Sequence, residues 1–119
     1  MNSRDDVAKF MYACDQNSTD FGAQANLYMA LIIEEYKELM VAFGNRDMVE
    51  IADACADLKW VIEGLEHTLG IPQQEVWDEV ARSNLAKISA SGKVEKREDG
   101  KVLKPEGWTP PDIKSILKK

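Results

Sequence analysis

Apolar positions recur with a helical period through most of the chain. Val7, Phe10, Met11 and Cys14 fall at i, i+3, i+4 and i+7, one face of a helix over 3–15, with Ser3 as its N-cap and Asp6 three residues on. Residues 16–20, Gln-Asn-Ser-Thr-Asp, are a polar break. Residues 21–43 lack proline and are rich in Ala, Leu, Met and Glu, which predicts a long helix stopped at Gly44-Asn45. Asp47 and Glu50 have the spacing of a capping box and open a third helix over 47–69, closed by Gly70. Pro72 suits the first turn of a fourth, over 72–90, closed by Ser91-Gly92. Four helices with short links predict an all-α fold, an antiparallel four-helix bundle forming a domain over 1–90. The interior of so small a bundle is limited, which favours an oligomer.

Residues 91–119 differ in kind and form a C-terminal tail that completes the domain or its site. Three of the four prolines and three of the seven glycines fall there, so no long helix is expected. Asp99-Gly100 between two short runs predicts a tight turn, and Ile113–Leu117 a short helix.

Charge divides the same way. Residues 1–85 hold 16 acidic and 6 basic side chains, net −10, and residues 86–119 hold 9 basic and 5 acidic, net +4. An acidic body repels a phosphate backbone, which argues against DNA or RNA as partner. An acidic body with a basic tail could bind cations in one place and anions in another, or present two solvated surfaces. No apolar run approaches a membrane span, and Arg4, Asp5 and Asp6 lead straight into an amphipathic pattern instead of a signal sequence. Two cysteines, Cys14 and Cys55, are too few for a disulfide scaffold, so a reduced cytoplasmic protein is expected.

The inward faces of the second and third helices carry acid where the period predicts core. The stripe Leu27, Ala30, Leu31 continues into Glu34, Glu35 and Glu38, and the third helix reads Glu50, Asp53, Ala54, Asp57, Leu58, Val61, Leu65. Glu50 is open to a plain capping role, and Glu34 and Glu38 to solvated positions. Asp53 and Asp57 are poor helix-interior residues on an apolar side. Buried like charges demand compensation, and few of the six basic residues of the body fall on these faces. An all-oxygen donor set suits Mg²⁺ or Mn²⁺, and facing helices can hold two ions about 3.5–4 Å apart. A di-iron bundle needs Glu-x-x-His pairs, whereas His67 is the single histidine and Gly64 stands three residues before it. His67 reads as a solvated helix-end cation. A non-catalytic acidic bundle binding Ca²⁺ or a basic partner is the rival reading.

In the fourth helix Val76 and Val80 lead into Asn84 and Lys87, an amide and an ammonium that could hold a phosphate or a base edge, or simply end a polar helix. Trp60, Trp77 and Trp108 could stack on a base, though Trp60 and Trp77 read as core.

Glu34-Glu35-x-x-Glu38, eleven residues, then Glu50-x-x-Asp53 resembles the EExxE…ExxD signature of the all-α nucleoside triphosphate pyrophosphohydrolases, which include MazG-like proteins, dimeric dUTPases and phosphoribosyl-ATP pyrophosphohydrolases. Ser83-Asn84-Leu85-Ala86-Lys87 resembles the SN-x-x-K segment of that superfamily. The run Glu98–Lys104 with Trp108-x-x-Pro111-Asp112 resembles the tail of its phosphoribosyl-ATP pyrophosphohydrolase-like branch. The resemblance implies cleavage of a (d)NTP between the α and β phosphates, with two or more Mg²⁺ (or Mn²⁺) ions held by Glu34, Glu35, Glu38, Glu50 and Asp53. It makes Glu34, Glu35 and Glu38 the catalytic group. It implies that Lys87, Lys101 and Lys104 grip the phosphates, Asn84 the sugar or phosphate, and Asp57 the sugar or the metal shell. It further implies a dimer or tetramer, leans towards a purine substrate such as dGTP, and leaves phosphoribosyl-ATP as the alternative.

Overall fold

The computed structural model describes residues 2–118. It contains α1 (Ser3–Ala13), α2 (Ala23–Gly44), α3 (Met48–Thr68), α4 (Gln73–Leu85) and a short α5 (Ile113–Leu117), with no strand among the described residues. The all-α class is as expected. No helix of the described residues is long and apolar enough to cross a membrane. The chain falls into two compact units, Met1–Ile71 and Pro72–Lys119.

In the second unit α4 stops at Leu85, short of the expected 90. The Lys87 and Ile88 amides bond back three residues, to Asn84 and Leu85, which tightens the last turn. Ile88 is then taken out of helical geometry by an antiparallel bridge to Val94. A second bridge, Lys96 to Val102, flanks the expected turn, where Gly100 has φ 88° and Arg97 donates to the Lys101 carbonyl at 2.8 Å. Polar contacts fasten the tail to α4, among them Arg82 Nη2 donating to the Pro110 carbonyl at 3.2 Å. Glu79 Oε1 pairs with Arg82 Nε at 2.8 Å, while its Oε2 accepts from the Asp112 amide at 2.7 Å. Trp108 Nε1 donates to the Ser83 carbonyl at 2.6 Å.

In the first unit α1 and α2 both pack on α3. Val7, Met11, Tyr28 and Val61 form the core, with Leu31, Ile32, Leu58 and Leu65 against it. Of the expected α1 stripe, Val7 and Met11 are inside, whereas Phe10 and Cys14 are exposed. Asn2, not Ser3, caps α1: its Oδ1 accepts from the Asp5 amide at 3.0 Å and the Asp5 carboxylate accepts in return. All three helices close with the same pair of backbone bonds. At α2 these are Arg46 N to Phe43 O and Asp47 N to Ala42 O. The left-handed residue is Asp15, Arg46 and Gly70 in turn. The α2 stop is thus carried by Arg46 at φ 54°, with Gly44 still helical.

The α2–α3 link is three residues, so the helices run antiparallel. Their register is fixed by contacts. Gln24 Nε2 donates to Thr68 Oγ1 at 2.8 Å, and one turn on, the Tyr28 ring lies against the backbone of Gly64. Tyr28 is 2 % exposed, and its hydroxyl donates to Gln16 Oε1 at 2.6 Å. A Cβ at position 64 would run into that ring. Gly64→Ala is therefore expected to destabilise by about 1–3 kcal/mol, even though alanine is the better helix former by about 1 kcal/mol. Thermal denaturation checks this: an unchanged or raised melting temperature would refute the close approach.

Candidate metal centre

Continuing that register by seven residues from Tyr28 and back by seven from Gly64 brings Glu35 opposite Asp57. The structure makes this pairing. Glu35, Glu38 and Asp57 offer ligand oxygens that all lie within 4.8 Å of one another, and these three could hold a metal ion. Glu35 and Asp57 are half-buried and Glu38 is exposed. Asp53 is close enough for its charge to act on Asp57, while Glu34 is exposed but close enough to act on Glu35. Glu50 lies further along, in the wall of a cavity of about 450 Å³ shared with Glu38, Lys37, Asn45 and Asp47. Its amide is capped by Asp47 Oδ1 at 3.2 Å, so the capping role falls to the backbone and the carboxylate stands at the cavity.

The electrostatics follow from crowding. Burial raises the Glu35 carboxyl to about 7, reinforced by a hydrogen bond and repulsion from Glu38 and by repulsion from Asp57 and Glu34. Burial, then the charges of Asp53 and Glu38, raise Asp57 as well. Glu35 Oε2 is buried with no hydrogen-bond partner. An orphaned carboxylate oxygen among other carboxylates, with no nitrogen or sulfur donor in the group, fits a hard divalent cation, which prefers all-oxygen coordination.

Asn84, Lys87, Lys101 and Lys104 belong to the second unit. Lys87 Nζ donates to Asn84 Oδ1 at 3.0 Å, so that pair survives the early end of α4. Lys87 and Lys104 both ride on the Trp108 ring, 5.3 and 4.9 Å from its centroid. Lys101 is in the turn, its amide donating to Asp99 Oδ1 at 3.1 Å. Two aromatic expectations fail: Trp77 is 64 % exposed, and Trp60 is partly exposed with its ring edge-on to Phe10. His67 is not a solvated cation. It accepts from Arg4 Nε through Nδ1 at 3.1 Å, and burial, then the Arg4 charge, lower its pKa. Lys37 and Asn45 also line the cavity beside Glu38, which exists only once α2 and α3 are paired.

Residues 4–84, from the first turn of α1 into the last turn of α4, match the phosphoribosyl-ATP pyrophosphohydrolase family. No curated protein matches the chain.

The raised Glu35 carboxyl sets a pH dependence in metal-free protein. Its folded value lies above its unfolded one, so the folded state binds the extra proton between about pH 4.5 and 7, and stability falls as pH rises through that window. Melting curves in chelator should show the fall. Glu35→Gln should remove it and raise neutral-pH stability, on the order of 1 kcal/mol after allowing for solvent screening. A metal-free wild type whose melting temperature is level from pH 4.5 to 7 would contradict this account.

Proposed function

Because this chain belongs to the phosphoribosyl-ATP pyrophosphohydrolase family, a branch of the MazG-like all-α nucleoside triphosphate pyrophosphohydrolases, we propose that it converts a purine (d)NTP such as dGTP, with water, to the (d)NMP and pyrophosphate. Action on a phosphoanhydride bond is common to the family. The observation that carries the proposal is the convergence of Glu35, Glu38 and Asp57 around an orphaned carboxylate oxygen.

Glu35, Glu38 and Asp57, with Glu34, Glu50 and Asp53 around them, would hold Mg²⁺ or Mn²⁺, two or more ions in all. When bound, such ions neutralise phosphate charge and make water a better nucleophile at neutral pH. One carboxylate of the Glu34–Glu35 pair takes the proton of the attacking water at a side-chain oxygen. Asp57 would serve the metal shell more than a sugar, supported by its place beside Glu35. Within the second unit the same reading gives Lys87, Lys101 and Lys104 contacts to phosphate and Asn84 a contact to sugar or phosphate. The support there is the gathering of Lys87 and Lys104 on Trp108. The family match favours a second reading equally, phosphoribosyl-ATP as substrate.

Product analysis tests both readings. Incubated with a (d)NTP panel and with phosphoribosyl-ATP, the protein should release a monophosphate and pyrophosphate, lose activity in EDTA and regain it with Mg²⁺ or Mn²⁺. Glu38→Gln should cut turnover about a hundredfold or more. A diphosphate with free phosphate, or full activity in chelator, would overturn the chemistry.

Self-association is part of the proposal. Met29, Ile33, Tyr36, Met40 and Phe43 lie on one side of α2 at spacings of four and three, and each is about half exposed or more. That is a coiled-coil seam, opposite the side that bears Glu38, and a helix apolar on both sides calls for cover on both. A second copy of the chain would bury it. Light scattering on the eluting protein should give a dimer or tetramer, and Ile33→Glu with Met40→Glu should give a folded monomer. A monomeric wild type would refute it.

A further inference from the structure

Between α1 and α3 lies a second cleft, of about 280 Å³, lined by Ser3, Asp6, Ala56, Lys59, Trp60 and Glu63 among others. Glu63 is the anomaly in it. It is 8 % exposed, its Oε1 accepts from Ser3 Oγ at 2.6 Å, and its Oε2 is buried with no hydrogen-bond partner. No ion pair reaches it among the described residues. The nearby guanidinium of Arg4 is committed to His67 Nδ1 and the Glu66 carbonyl. A carboxylate so placed costs stability unless something donates to it. Lys59 at the same cleft is exposed, its charge free to stay in water.

The donor wanted here is flat and carries N–H groups. Trp60, partly exposed at the cleft, offers an aromatic surface, and Asp6 adds a second acceptor. Ala56 and Trp60 stand three residues along α3 from Asp53 and Asp57, so the cleft adjoins the acidic face on the same helix. From Asp57 to Glu63 the helix rises about 9 Å. Over the same six residues the helix turns through a net of about 120°, so a nucleotide reaching both would run from the α2 side of α3 to its α1 side.

We infer that this cleft is a nucleobase subsite, with Glu63 the specificity-determining acceptor for the N–H groups of the base edge. The inference rests on the nucleotide reading above and adds a ranking to it. Bases with an exocyclic amino group present donors to the carboxylate, and guanine, with a ring N–H beside its amino group, matches both oxygens of a carboxylate best. Thymine and uracil flank their single N–H with carbonyl oxygens that the carboxylate repels. A site built to hydrogen-bond discriminates strongly because its buried group is otherwise left unpaired.

Two measurements test it. In the first, kcat/KM is compared for dGTP, dATP, dCTP and dTTP. Wild type should favour the amino-bearing bases, and Glu63→Gln, whose amide still accepts from Ser3, should lower that preference roughly ten- to a hundredfold, chiefly through KM. The inference falls if the preference stays within about twofold of wild type. In the second, wild-type protein in chelator is titrated with deoxyguanosine and with thymidine while tryptophan fluorescence is followed. Deoxyguanosine alone should quench, and Trp60→Phe should abolish the quench. Equal quenching by both, or by neither, overturns the inference even if the glutamine variant does not fold. Absence of pyrophosphate release from every nucleotide would count against the proposed function, whereas release with an indifferent cleft counts against this subsite alone.

Discussion

The close approach of Tyr28 to the bare backbone of Gly64 is the constraint on which the first unit depends. An aromatic ring can lie flat against a helix only where no Cβ intervenes, and the resulting contact sets both the spacing and the register of α2 on α3. Gln24 with Thr68 holds the same register one turn earlier. Two turns later it delivers Glu35 to Asp57. A slip of one residue would turn Glu35 about 100° away from its partner. The apolar half of this interface thus holds in place the acidic half, which by itself would push the helices apart.

The two halves differ in what they cost. Val7, Met11, Tyr28 and Val61 gain by leaving water. Glu35 and Asp57 lose by it, as their raised pKa values register. Functional sites are where such local penalties are tolerated, provided the surrounding fold overrides them and a ligand relieves them. The first unit carries two buried carboxylate oxygens with no hydrogen-bond partner, Glu35 Oε2 and Glu63 Oε2.

Much of this was legible in the sequence. The helical class, three of the four long helices and the acidic stripes followed from period and from strong stops such as Gly70. The carboxylate motif was visible because acid appeared where apolar residues were due. What escaped has physical reasons. The α2 stop fell on Arg46, since a left-handed arginine leaves no compositional mark. α4 ended at Leu85 because Ile88 is captured by Val94, a pairing outside any local window. His67 looked like a solvated cation because its donor, Arg4, is remote in sequence. Nothing in the sequence around Glu63 marks it as buried, because its partner Ser3 lies sixty residues away on α1. The placement of Asp57 beside Glu35 and Glu38 required knowing which residue of α3 faces which residue of α2.

The three-residue link Asn45–Asp47 has a kinetic side. Helices joined so locally pair with little loss of loop entropy, and contacts of short sequence separation form early in folding. The α2–α3 hairpin is therefore the element best placed to nucleate the first unit. It is also the element that brings Glu35, Glu38 and Asp57 together. The element best placed to nucleate the first unit therefore also carries its acidic faces. Divalent cations should thus act on the rate at which this protein folds as well as on its equilibrium, and acidic substitutions in the hairpin should be felt in the refolding limb more than in the unfolding one.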